Sequence, residues 1–371
     1  VTKLPRWADV VLVPLICLLI AFVFCGLLIA AIGQNPWVAL TSMIQGSLGT
    51  QSGWGYTLFY ATNFLLTGLG VSIAFHASLF NIGGEGQATL GGLGVAVACL
   101  FVPWPHWSLA LLGSITLSAL FGALWALIPA WLQAKRGSHI VITTMMFNFI
   151  AYALISYLLV NVLRPEGAMD PATARFDKAF NLPKLADIFG VLGIPFSKAP
   201  PANIMLFVAL ALAVATWALL WHTRLGYAIR AFGKQEKAAV YAGISPVRIT
   251  LYALLLSGGI SGLMAVNAVQ GGAHRLVMNS VEGAGFIGIA VALMGRNHPF
   301  GIVLASLLFG FLFQGGAQLA MASDPVTGEQ LKIPREVITV LQALVILFTG
   351  ALPYMVQRPL EKLFARAKGG V

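Results

Sequence analysis

The sequence predicts an all-α membrane protein of about ten transmembrane helices, with two inverted repeats and glycine-rich broken segments. Three observations predict it: an apolar composition, a series of apolar runs near 20 residues long, and a Glu-Gly pair at the head of each of two glycine-rich apolar segments. Of the 371 residues, 58% are hydrophobic and 9% charged, and the mean hydropathy is +0.87. Soluble domains carry about 25% charged residues. A chain with so few polar groups cannot cover a water-facing exterior, so its solvent is lipid.

Crossing the hydrocarbon core takes about 20 apolar residues. Ten runs approach that length: 9–32, 55–80, 88–103, 107–133, 140–163, 202–222, 249–270, 282–295, 300–321 and 336–356. The third and eighth are short and rich in glycine. Lys3 and Arg6 precede the first run, and no small-residue cleavage site ends it, so it reads as a retained span rather than a signal. Cys17, Cys25 and Cys99 all fall inside apolar runs and read as small buried hydrophobes.

Orientation follows from Lys and Arg in the loops. With the N-terminus in the cytoplasm, the inner segments hold Lys3, Arg6, Lys135, Arg136, Arg224, Arg230, Lys234, Lys237, Arg248, Arg296, Arg358, Lys362, Arg366 and Lys368. The remaining eight basic residues lie outside, five of them in the loop 164–201. Both termini are therefore expected inside. The net charge of +10 is spread over the gaps between apolar runs, which points to anionic lipid and partner proteins rather than nucleic acid.

The outer loop 164–201 is rich in proline and reads as a lid, a docking surface or a passive connection. The inner loop 223–248 differs in character. Glu236 to Tyr241 are helix formers closed by Gly243 with Pro246 beyond, which predicts a short helix on the cytoplasmic face. One transmembrane domain, 1–371, accommodates all of these segments.

The repeat supplies the unusual polarity. Glu85-Gly86 and Glu282-Gly283 each open a short glycine-rich segment that ends at a proline and leads into an apolar run. In this topology the first pair lies toward the inside and the second toward the outside, a relation found in transporters. Asn81, Glu85 and Gln87 lie in a glycine-rich break whose backbone cannot face lipid. Glu85 and Glu282, with Asn81, Gln87 and Asn148, are the candidates for structuring a translocation pathway. Either carboxylate can instead cap the start of a short helix. Asn63, His76, Asn161, Asn267, Gln270, Gln314 and Gln318 read as hydrogen-bonding glue between helices, and Gly258 with Gly262 as a close helix contact.

Gly283 to Gly288 matches G-x-G-x-x-G, but it opens a membrane segment rather than a βαβ unit, which excludes a dinucleotide site. The sequence holds no Walker loop, zinc-protease motif or nucleophile elbow. It carries no enzyme chemistry and no cofactor site of its own.

The stretches FHASLFNIGGEGQATLGGLGVA (75–96), SHIVITTMMFNFIA (138–151), GYAIRAFGKQEKAAVYAGIS (226–245) and EGAGFIGIAVALMGRNHPFGIVLASLLFG (282–310) resemble the permeases of branched-chain amino acid, simple-sugar and nucleoside ABC importers. The likeness is greatest to the nucleoside and simple-sugar branch. It implies a bacterial inner-membrane complex of two permeases, two ATPases that bind ATP and Mg²⁺, and an extracytoplasmic solute-binding protein. It also implies a heterodimer of permeases, a nucleoside or sugar as cargo, and a coupling segment containing Arg230, Gly233, Lys234, Glu236, Ala238, Ala239 and Gly243 that docks on the ATPase. The rival reading is an ion-coupled secondary transporter or channel acting without an ATPase.

Overall fold

The computed structural model describes residues 13–191 and 193–319 and a few isolated positions beyond them. Most of the tenth run, 336–356, and Lys3, Arg6, Arg358, Lys362, Arg366 and Lys368 lie outside the described residues. Thirteen α-helices are described, α1 (Val13–Ala31), α2 (Pro36–Ile44), α3 (Gln51–His76), α4 (Gly84–Phe101), α5 (Trp107–Arg136), α6 (Ile140–Asn161), α7 (Leu185–Val191), α8 (Met205–His222), α9 (Arg224–Lys234), α10 (Glu236–Tyr241), α11 (Pro246–Gly262), α12 (Ala284–Met294) and α13 (Pro299–Leu319). No strand occurs among the described residues, where β-pairing is confined to the isolated bridges Ala172–Val277 and Lys184–Asn203. The fold is all-α.

Among the described residues, six helices are long and apolar enough to cross a membrane: α3, α5, α6, α8, α13, and α11 with its continuation to Ala273. α1 and α12 supply shorter apolar stretches, and the first turn of α4 is polar. The chain forms two compact units, one of residues 55–310 and one of 1–54 with 311–371. In the smaller unit, Asn35 caps α2 by accepting from the Trp37 N–H (2.9 Å), and Pro36 occupies the first helical turn, where no N–H is needed. Phe22, Cys25, Ile29, Met43 and Leu312 line an apolar cavity there.

Within the larger unit, burial separates centre from rim. The most apolar stretch of α3 is 78% buried and that of α11 72%, against 28% for α5, α6 and α8. Leu112, Leu120, Leu124, Ile142 and Phe149 point outward from the rim, where acyl chains solvate them without cost. Fourteen of the 18 residues of α4 are buried, so α4 belongs to the centre.

Small residues bring the central helices together. A Cβ on Gly122 of α5 would stand 2.4 Å from the Gly258 carbonyl oxygen of α11, and one on Gly91 of α4 would stand 2.4 Å from that of Gly262. Ser118 adds a hydrogen bond from its hydroxyl to the Gly262 carbonyl (2.6 Å). Gly258 and Gly262 therefore mark a close helix crossing, as their spacing predicts. In lipid, where neighbouring acyl chains are as apolar as leucine, such packing and hydrogen bonding are what hold helices together.

The chain 164–201 is built against the end of α11. Its backbone N–H groups at Thr173 and Phe176 donate to the carbonyls of Leu276 and His274, and Leu185 N–H donates to Ala202. It holds α7 and one 3₁₀ turn, Lys178–Phe180. The opposite face of this unit carries α9 and α10. Sequence reading finds α10 but not α9, an amphipathic helix that buries Gly226, Ile229 and Phe232 and is capped by the Thr223 hydroxyl.

Candidate functional site

Two features of the larger unit carry candidate function, a polar knot at its centre and the helix pair on its face.

The knot forms where the chain between α3 and α4 re-enters the protein. His76 ends α3, and Ser78 turns the chain at φ +56°. Asn81 then accepts from the Gly83 N–H (2.9 Å) and pairs reciprocally with the Gln87 amide, at 3.1 and 3.2 Å. Its amide also donates to the Ser257 hydroxyl on α11 (2.9 Å). Asn148 of α6 accepts from the Gly86 N–H (2.9 Å) and donates to the Ile82 carbonyl (3.0 Å). Both side chains thus satisfy backbone groups that the break leaves unpaired, which is the condition for irregular backbone inside a membrane.

Glu85 sits at the first turn of α4, but it caps a different helix. Its Oε1 accepts from the Gly283 N–H (2.9 Å) and the Tyr152 hydroxyl (2.7 Å), and its Oε2 accepts from the Gly285 N–H (2.8 Å). Those N–H groups open α12. The carboxylate is 1% exposed and lies between the starts of α4 and α12, the positive ends of two helix dipoles. The dipeptides Glu85-Gly86 and Glu282-Gly283 therefore meet. A Cβ on Gly285 would stand 2.2 Å from the Glu85 nitrogen, so glycine is required for the approach. Glu282, at φ +50°, is exposed.

From this common start the helices diverge. α4 passes Gly92 beside Val269 and Leu276, toward the face built by 164–201. α12 leads to His298, whose ring lies 5.1 Å from Trp221 at the end of α8.

Trp221 also contacts His76 (5.3 Å) and lies under the Arg230 guanidinium (5.6 Å), and Arg230 Nε donates to the Leu220 carbonyl (2.9 Å). His76 is half-buried with Nδ1 2.8 Å from the Ser72 carbonyl. The turn after α3 and the end of α9 are clasped at Gly233, whose carbonyl accepts from the Ser78 hydroxyl (2.6 Å). A Cβ on Gly233 would stand 2.1 Å from the His76 carbonyl oxygen. Lys234 ends α9 and Glu236 opens α10, both exposed.

α10 is held to the unit by little. Ala239 is buried, while Ala238 is exposed and Tyr241 is 97% exposed. Gly243 closes the helix at φ +82°, Ile244 N–H donates back to the Ala239 carbonyl (3.0 Å), and Pro246 starts α11. This is a Schellman ending that favours glycine.

A third network ties α3 to the segment after α11. Asn267 donates to Asn63 Oδ1 (2.7 Å) and the Phe59 carbonyl (3.1 Å), and Asn203 donates to Asn267 Oδ1 (2.9 Å). Asn267 lies in a π-helical stretch, Val266–Ala273. Asn63 and Asn267 act as the glue their positions predict. Sequence reading misses Tyr152, Ser257, Ser78 and Trp221. Single hydroxyls and aromatics inside apolar runs give no local sign of a partner far along the chain.

Residues 54–350 match the family described as the permease component of branched-chain amino acid transport systems. The chain is 35% identical to a glucose ABC transporter permease protein of Haloferax volcanii, over 90% of this chain and 86% of that one. It is 31% identical to a guanosine ABC transporter permease protein of Bacillus subtilis, over 92% and 93%. A nucleoside ABC transporter permease protein of Lactococcus lactis is also 31% identical, over 95% and 93%. Lactococcus lactis and Bacillus subtilis each hold a second, similarly described relative, at 30% and 29% identity.

Proposed function

Because the chain belongs to the family of branched-chain amino acid transport system permease components, it is a permease subunit of an ABC importer, and we propose that its cargo is a nucleoside or purine-like compound, with a simple sugar as second candidate. The cargo assignment is supported by relatives described as guanosine, nucleoside and glucose permeases, and by a membrane interior with few ionisable groups.

The importer operates in the bacterial inner membrane with about ten spans and both termini cytoplasmic. Two inverted repeats carry the alternation of access. Their support is the side-by-side start of α4 and α12 and the opposite faces to which those helices lead. Asn81, Glu85, Gln87 and Asn148 hold the broken segments that shape the pathway wall, and Glu282 stands on the pathway.

The ATPase subunits bind ATP and Mg²⁺ and dock on Arg230, Gly233, Lys234, Glu236, Ala238, Ala239 and Gly243. The observation that carries this is α10, presented to solvent with one buried side chain and an almost fully exposed Tyr241. A helix so placed adds nothing to the core and suits a partner's cleft. The face opposite receives a solute-binding protein, and lipid surrounds the rim. A second, different permease completes the pathway, as the paired relatives in two organisms suggest.

Uptake into proteoliposomes holding the permeases, ATPase and binding protein tests this function. ATP-dependent accumulation of guanosine is expected, and none without the ATPase. Uptake by the permease alone, driven by a proton or sodium gradient, would remove the ATP-driven scheme.

A further inference from the structure

The same repeated dipeptide places Glu85 and Glu282 in opposite surroundings. Glu85 is buried and accepts hydrogen bonds from Tyr152, Gly283 and Gly285. Glu282 is exposed, Phe286 one turn further is 44% exposed, and Leu293 is 46% exposed. Phe286 and Leu293 lie seven residues apart on one face of α12. The other face, with Ala284, Gly285, Gly288, Val291 and Ala292, is buried.

Depth decides what Glu282 can face. The 11 residues of α12 rise about 16 Å from the end where His298 meets Trp221. The 18 residues of α4 lead about 27 Å the other way. Together they match the roughly 45 Å of the 30-residue α5. Glu282 therefore stands well inside a hydrocarbon core about 30 Å thick. An unburied carboxylate at that depth cannot face acyl chains. It faces water or protein beyond this chain.

Resting on the importer reading, we infer that Glu282 and Phe286 form the solute contact halfway along the pathway. The carboxylate accepts hydrogen bonds from hydroxyl or amino groups of the solute. The Phe286 ring packs against the solute's planar or apolar face. Glu85 is the scaffold of this contact and does not touch the solute.

Two measurements on the complete importer in lipid nanodiscs and proteoliposomes decide it. Glu282→Cys should react with a charged, membrane-impermeant methanethiosulfonate, and Leu124→Cys, on the rim of α5, should not. The parent's own three cysteines set the background. In uptake, Glu282→Gln should raise the guanosine concentration for half-maximal transport about tenfold, the loss of one charge-assisted hydrogen bond, while ATPase coupling to the binding protein persists. Reaction at the Leu124→Cys rate in both nucleotide-free and vanadate-trapped complexes would overturn the inference. So would unchanged uptake, or dissociation of the permease pair by Glu282→Gln, which would make the carboxylate an interface tie. If the parent takes up neither guanosine nor glucose, the cargo assignment falls, and the labelling still decides whether Glu282 faces water.

Discussion

Replacing Gly285 by alanine tests the meeting of the two broken segments most directly. The new Cβ would stand 2.2 Å from the Glu85 nitrogen and 2.5 Å from its Cα, against 3.4–4 Å for ordinary contact. Both atoms are backbone, so no side-chain rotation relieves the clash, and α4 and α12 must part by about 1 Å. Overpacking of this kind costs about 1–3 kcal/mol. Parting the helices also lengthens the 2.8 Å bond from Gly285 N–H to Glu85 Oε2 beyond useful range, leaving a buried carboxylate short of a donor, for about 1–3 kcal/mol more. The expected sum is about 2–6 kcal/mol. Gly84 is the control, because it lies on the other side of the same contact. A Cβ there meets nothing closer than 3.6 Å, so Gly84→Ala should be tolerated. Size-exclusion profiles of the detergent-purified protein after heating give the melting midpoints. Gly285→Ala should melt roughly 3–8 °C below the parent and Gly84→Ala roughly within 2 °C of it. Equal melting of the two variants would refute the close approach.

Three further outcomes follow from the same geometry. Tyr152→Phe removes the 2.7 Å donor to Glu85 and should cost about 1.5–3 kcal/mol in the same melting assay; parental stability would mean that the α12 N–H groups alone satisfy the carboxylate. Gly233→Ala pushes a Cβ against the His76 carbonyl and should displace α9, lowering the ATPase that co-purifies; full co-purification would separate that clasp from docking. Tyr241→Ala touches a side chain that is 97% exposed, so stability should change by no more than about 0.5 kcal/mol while ATPase co-purification drops; retained ATPase would remove α10 from the docking surface.

Local physics made part of this legible from the sequence. The runs at 107–133, 140–163 and 300–321 lie within a few residues of α5, α6 and α13, because hydrocarbon thickness sets a length that apolar residues report directly. The ending of α10 was equally readable, since Gly243 and Pro246 are backbone requirements written at fixed positions. α9 escaped because its apolar face consists of Gly226, Ile229 and Phe232 among Arg224, Arg230 and Lys234, too short a stripe to stand out beside long apolar spans. Its one clear signal is Thr223, whose hydroxyl accepts from the Gly226 N–H. The capping role offered for Glu85 was correct in kind. That it caps α12 rather than its own helix was invisible, because the partners at Gly283 and Gly285 lie about 200 residues away.

Composition alone determined that this chain lives in lipid, since 9% charged residues cannot clothe a water-facing surface, and it marked the glycine-rich breaks as places where backbone must find partners inside the protein. Only the tertiary structure decided which partners those are. Hydrogen bonds reach about 3 Å, and nothing in a run of residues states which distant groups the packing will bring that close. The three-dimensional fold thus turned two identical dipeptides into a buried latch at Glu85 and an open carboxylate at Glu282.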